Sequence, residues 1–224
     1  MHDPRQSGLA LIVVLLAMVV LSALGVALVL TTTAETRIAA NFRRAQQTLY
    51  AADAAAARAI DDLGAVADWT ALVSGAVLSS FVDGPPSGVR RLDDGSAVDL
   101  AQVASLANCQ KAAGCSNADM DATTDDRPWG PNNPRWKLFA YGRLRDLLPP
   151  DPVAAPHYVV VMAGDDPGET DNDPTRDGAP GTPGAGIIAL RAEAFGPGEA
   201  HKVVELTAMR GDRAMRVLSW REVR

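Results

Sequence analysis

The sequence predicts an α+β protein: a long N-terminal helix, first transmembrane and then amphipathic, packed on an antiparallel β-sheet of about four strands. Three observations carry this expectation. Residues 9–30 are almost wholly apolar, and apolar residues then recur at steps of three or four as far as Leu63. The final third of the chain holds four short runs of β-branched and aromatic character, separated by turn sequences.

The apolar run reads LALIVVLLAMVVLSALGVALVL, interrupted only by Ser22 and Gly25. At about 1.5 Å per residue it extends roughly 33 Å, enough to cross a hydrocarbon core of about 30 Å. It carries no charge, it is longer than the apolar part of a secretory signal, and no small-residue cleavage site follows it. These features by themselves describe a plain signal anchor. Beyond it, Ile38, Phe42, Ala45, Leu49, Ala52, Ala56, Ile60 and Leu63 form one stripe of period 3.6, while Arg37, Asn41, Arg44, Gln47, Arg58 and Asp61 fall mostly on other faces. Neither Pro nor Gly occurs between Val26 and Leu63, Ala is abundant, and Gly64 is a natural stop. The expectation is one helix over residues 9–63, about 80 Å long.

Residues 64–224 make the globular head, with room for one domain of ordinary size. The segment DWTALVSGAVLSSFV suits a short helix or the start of a strand, and residues 98–111 suit a second short helix. Residues 117–134, rich in Asp and Pro, read as loop. Residues 136–148 resume regular structure, with a spacing that fits helix and strand equally. Residues 157–163, 187–195, 202–210 and 213–220 read as strands, and the Gly-Pro-Gly of 196–198 and the Gly-Asp of 211–212 supply turns between the last three. One face of this meander should cover the amphipathic half of the long helix.

Net charge is −6 and the pI about 5.0, so no basic field is available to hold nucleic acid. Cys109 and Cys115 are compatible with a short disulfide loop, two free thiols or half of a metal site. No His lies within 40 residues of either, which ranks zinc last, and a head outside the cytoplasm favours the disulfide. The loop DDPGETDNDPTRDG offers Asp165, Asp171, Asp173 and Asp177 as oxygen ligands for Ca²⁺, but no Glu falls at the twelfth position of an EF-hand. A solvated connector is the competing reading, as it is for the acidic residues of 117–126. GAPGTPGAG, residues 178–186, lacks the Gly-Lys-Ser/Thr of a phosphate loop and reads as a flexible connection. The histidines, His2, His157 and His201, have no nearby Ser, Cys or carboxylate pattern that suggests catalysis. Trp69, Trp129, Trp136 and Trp220 read as core or loop anchors. The sequence thus predicts neither an enzyme nor a protein with an organic cofactor.

Residues 5–63 resemble the N-terminal region of type IV pilins, most closely the PilX-like minor pilins. The resemblance lies in Gly8 followed at once by the apolar run, in the Thr cluster of 31–33, and in Glu35, Arg37, Ala40, Asn41, Arg43, Gln46 and the Ala-Ala-Asp-Ala of 51–54. Residues 217–222 also resemble the last strand of such proteins. The resemblance implies a pilin-like fold and a prepilin leader over residues 1–8, cut after Gly8 by a prepilin peptidase, with methylation of the new N-terminus at Leu9. It implies a single-pass anchor in the inner membrane, a periplasmic head, and later residence in the pilus or at its tip. The implied partners are other minor pilins and the major pilin, met through the N-terminal helix. Two positions depart from the pattern. Val13 stands where major pilins carry a Glu at the fifth mature position, which fits a capping subunit better than a repeating one. Ser7 stands where Lys or Arg is common, with Arg5 the nearest base. Arg37, Arg43 and Arg44 follow the span, so a positive-inside count does not place the N-terminus in the cytoplasm; the Cys pair and the resemblance place the head outside. The rival readings are a K-type minor pseudopilin of type II secretion and a membrane-anchored binding module, an adhesin or a calcium-dependent one.

Overall fold

A computed structural model of the chain describes residues 4–147, 155–178, 184–212 and 214–223, with side chains from Leu9 onward. His2, the first residues of the expected leader, Leu148, Arg213 and most of the 178–186 connection lie outside the described residues. Helix α1 spans Pro4–Leu63. The chain divides into two compact units, Met1–Arg43 and Arg44–Arg224, and the boundary falls within that helix.

In the second unit, α1 contributes a face of small residues. Ala51, Ala52, Ala55, Ala56, Ala59 and Leu63 are buried, with Thr48 one turn earlier. Their spacing is the stripe expected from the sequence, shifted towards positions that carry alanine. Methyl side chains keep the helix axis close to the sheet and lose no rotamer entropy on burial. The expected stripe began earlier, at Ile38 and Phe42, but both are exposed, at 69% and 67%. They belong to the first unit, so the apolar pattern there does not serve the core of the head.

Among the described residues the sheet has five strands rather than about four, in the order β3 (Lys137–Arg143), β4 (Tyr158–Asp165), β5 (Ile187–Gly196), β6 (Ala200–Arg210) and β7 (Met215–Val223), antiparallel throughout. Strands β4, β5, β6 and β7 match the four apolar runs. The additional strand is β3, Lys137–Arg143, in the stretch whose spacing fitted helix and strand alike. A bulge between Leu138 and Ala140 explains the ambiguity: one extra residue breaks the period of two and puts Phe139 and Ala140 in the same core.

Every residue of β4 is buried, because both faces of the sheet are covered. On one side, Val159, Val161, Leu190 and Ala192 meet the alanine face of α1 and the short helix α2 (Trp69–Val73), which Asp68 caps. On the other, Tyr158, Val160 and Met162 meet Val98, Leu100 and Val103. That second cover is a two-stranded ribbon, β1 (Val89–Arg91) and β2 (Ala97–Asp99), leading into α3 (Leu100–Cys109), which Asp99 caps. The stretch expected to be loop contains a short α-helix, α4 (Asn117–Asp121), and a single 3₁₀ turn, Gly130–Asn132. Its signal was a capping box: Ser116 Oγ accepts from Asp119 N while Asp119 accepts from Ser116 N. Asn133, fully buried, donates to the carbonyls of Met120 and Ala122 and so fixes the following loop.

Candidate functional site: an exposed apolar helix and a buried acidic cluster

In the first unit the helix shows its apolar residues on all sides. Leu9, Leu11, Leu16, Leu21 and Leu28 are each more than half exposed, and no residue of the most apolar 18-residue stretch is buried by the chain. Uncovered aliphatic surface on this scale is stable only in lipid or against other apolar helices. Val13 belongs to this surface and adds no charge to it. The polar residues that follow are adapted to the same surroundings. The hydroxyls of Thr31, Thr32, Thr33 and Thr36 donate to the carbonyls of Ala27, Leu28, Val29 and Thr32, at 2.8–2.9 Å. Each is satisfied within the helix and asks nothing of water. The backbone of Gly8 is helical, and Leu9 continues the same helix.

The acidic loop between β4 and β5 behaves differently from its sequence. Asp165, the last residue of β4, is only 3% exposed. Glu169, fully buried, and Asp177, half-buried, join it, with one carboxylate oxygen of each within 4.8 Å of the others. Thus the structure brings together Asp165 and Asp177 of the expected ligand set and adds Glu169. Asp171 and Asp173 stand outside this cluster: Asp171 Oδ1 accepts from Asp173 N, and Asp173 Oδ1 from Thr175 N and Oγ1. They shape the turn, as Asp does in Asx turns. The signal for Glu169 was its place four residues after Asp165, but nothing in the sequence showed that the chain would bury it. Gly178 N donates to Glu169 Oε2, and Gly186 N to Asp177 Oδ1 at 2.7 Å. Asp165 Oδ1 is buried without a hydrogen-bond partner among the described residues. Burial, followed by the charge of Glu169, pushes the Asp165 carboxyl up to about 8. Burial also raises that of Asp177, against the pull of Gly186 N and Arg210.

Cys109, at the end of α3, and Cys115, just before α4, are joined by a disulfide, with Cα atoms 5.9 Å apart. The two histidines of the head serve packing. His157 is buried, with Nε2 3.3 Å from Thr48 Oγ1, and burial lowers its pKa from the ordinary 6.5. His201 stacks on Phe195 and meets Glu193 Oε2 at 2.9 Å. Glu193 also receives Arg191 Nε, and Arg191 Nη1 reaches Glu205 Oε1, both at 2.7 Å. Burial would raise the Glu193 carboxyl, but the His201 hydrogen bond and the Arg191 charge outweigh it and hold the pKa low. Arg191 and Glu193 lie two apart on β5, but their links to Glu205 and His201 on β6 depend on cross-strand register, which sequence reasoning did not supply. Of the tryptophans, Trp69 lies under the Arg210 guanidinium at 4.7 Å, while Trp129, Trp136 and Trp220 border one groove of about 370 Å³.

Residues 7–57 match the family model described as PilX N-terminal. The N-terminal region is therefore PilX-like, as its residues suggested, and that family consists of structural pilins rather than enzymes. The match ends within α1, and the strands of the head lie outside it. No curated protein and no solved structure gives a significant match to the chain.

Proposed function

We propose that the protein is a minor pilin that takes part in type IV pilus assembly, in the complex that primes the filament and remains at its tip. One observation carries the reading: the PilX-like segment is a helix whose apolar surface the chain itself leaves uncovered, and the same helix ends in the core of an α+β head. Such a helix is a storage form. It waits in the inner membrane as a single span, with the disulfide-bearing head in the periplasm, and exchanges lipid for the helices of other pilins when it enters the filament. Val13 supports a capping place, since it offers no carboxylate to a neighbour's amine within the bundle. The roles of the groups described are structural, and catalysis forms no part of the function.

Gly8 is the processing residue in this reading and Leu9 the mature, methylated N-terminus. Intact-mass spectrometry of the protein, purified from membranes of a host with its own prepilin peptidase, tests it. The expected mass begins at Leu9 with one added methyl. Gly8→Val should leave the full-length chain in the membrane and remove it from sheared pili. A wild-type mass that retains residues 1–8 overturns the reading in favour of an anchored binding module. Processing without entry into pili, but with rescue of a type II secretion defect, favours the pseudopilin.

A further inference from the structure

We propose that Asp165, Glu169 and Asp177 bind one calcium ion, which ties the β4–β5 loop to the end of the sheet. The site is independent of the pilin reading, and three features of the structure support it.

The first is charge. Around Asp165, the neighbouring charged groups are the carboxylates of Glu169, Asp171 and Asp177, with a backbone N–H at Asp166 as the stabilising contact. Arg210 is the base whose charge acts on Asp177. Its guanidinium is committed elsewhere, stacked over Trp69 and donating to the carbonyl of Val66. Asp165 and Glu169 are buried and Asp177 half-buried, and carboxylates gathered so closely favour a cation or protons among them.

The second is the orphaned atom. Asp165, a member of the cluster, has its Oδ1 buried with no hydrogen-bond partner among the described residues, whereas Gly178 N and Gly186 N hold Glu169 and Asp177 in place. The large majority of buried side-chain polar atoms in folded proteins are paired, and an open acceptor in a group of carboxylates points to a positive ligand. The third is the donor set. It is all oxygen, with neither His nor Cys, which excludes a zinc preference. Two oxygens opposed across Ca²⁺ at about 2.4 Å are about 4.8 Å apart, the span within which these three lie. Mg²⁺ demands a tighter octahedron and gives up its water reluctantly. Three carboxylates leave room for water or main-chain carbonyls to complete six to eight ligands.

The ligands come from the end of β4, from the first turn of the loop and from its return, so a bound ion closes the intervening chain into a fixed ring. Gly184 adds to the construction: a Cβ there would lie 2.6 Å from Glu169 Cβ, so the return of the loop presses directly against a ligand. Arg176, exposed and next to Asp177, is a tryptic site within that ring.

The test uses the full chain in detergent micelles, stripped with a chelator and titrated calorimetrically with Ca²⁺ and, separately, with Mg²⁺. The expected result is one Ca²⁺ per chain, bound at least tenfold more tightly than Mg²⁺, with slower tryptic cleavage after Arg176. Asp165→Asn and Asp177→Asn should each weaken Ca²⁺ binding at least tenfold. The double variant Asp171→Asn/Asp173→Asn should bind as the wild type does, because Asn keeps the turn acceptors. Melting in chelator shows that the Asp165→Asn variant is folded, and it should melt no lower than the wild type there. Absence of binding at millimolar Ca²⁺ overturns the proposal, as does binding that survives Asp165→Asn. If neither protein responds to Ca²⁺ and Asp165→Asn melts higher, the carboxylates share a proton instead.

Discussion

Gly196, the last residue of β5, lies close to Thr48 of α1. A Cβ built there would lie 2.7 Å from His157 Cδ2, 2.9 Å from His157 Nε2 and 2.9 Å from Thr48 Oγ1. Thr48 is fully buried and His157 nearly so, and the two are in contact with each other, so neither can retreat into solvent. Carbon contacts are favourable at about 3.5–4.0 Å, and Gly196→Ala therefore forces a displacement approaching 1 Å on two buried groups at once. Overpacking of this kind costs about 1–3 kcal/mol, and the double clash places this variant at about 2–3 kcal/mol. For a unit the size of Arg44–Arg224, that lowers the melting temperature by about 4–12 °C. All four tryptophans follow residue 63, so urea unfolding in mild detergent, followed by fluorescence, reports the head while the apolar helix is silent. Thr48→Ala should be less damaging in the Gly196→Ala background than alone, because it makes room for the new methyl group. A Gly196→Ala protein as stable as the wild type, or strictly additive effects of the two changes, would refute the close approach of helix and sheet.

Two further outcomes follow from the head. Burial holds His157 below its ordinary value of 6.5, so between its folded pKa and 6.5 the unfolded chain binds more protons; stability is fully present above about pH 6.5 and falls as the pH drops through that window. His157→Gln should flatten the dependence of the urea midpoint on pH there, and an unchanged slope would show that another group is responsible. The Cys109–Cys115 bond closes a loop with a sequence separation of 6. The chain-entropy relation gives about 2 kcal/mol for so short a loop. The double variant Cys109→Ser/Cys115→Ser should lose that amount and should unfold at the same urea concentration with and without reductant. A reductant effect that persists in the variant would place the sensitivity outside this bond.

What the sequence determined by itself were the features governed by near neighbours. The apolar run and the stripe ending at Leu63 set out the helix, because a helical period is local, and Gly64 marks its end. The four runs of β-branched residues set out β4 to β7, and short turns joined the last three as an antiparallel meander. The Gly8 to Ala54 pattern placed the N-terminal region as PilX-like, since the pattern is local and its residues can be read in order. Tertiary structure decided the rest. The bulge at Leu138 and Ala140 hid β3, because a bulge is a response to the neighbouring strand and breaks the period by which strands are recognised. The cover of the second sheet face by α3 and the ribbon depends on contacts far apart in sequence. Acidic residues that looked alike in the β4–β5 loop were sorted by burial: Asp165, Glu169 and Asp177 cluster at the base, whereas Asp171 and Asp173 serve the turn. The energy of a charge depends on its access to water and on its neighbours, and for these carboxylates both are set by how the loop folds back on the sheet, not by its order of residues.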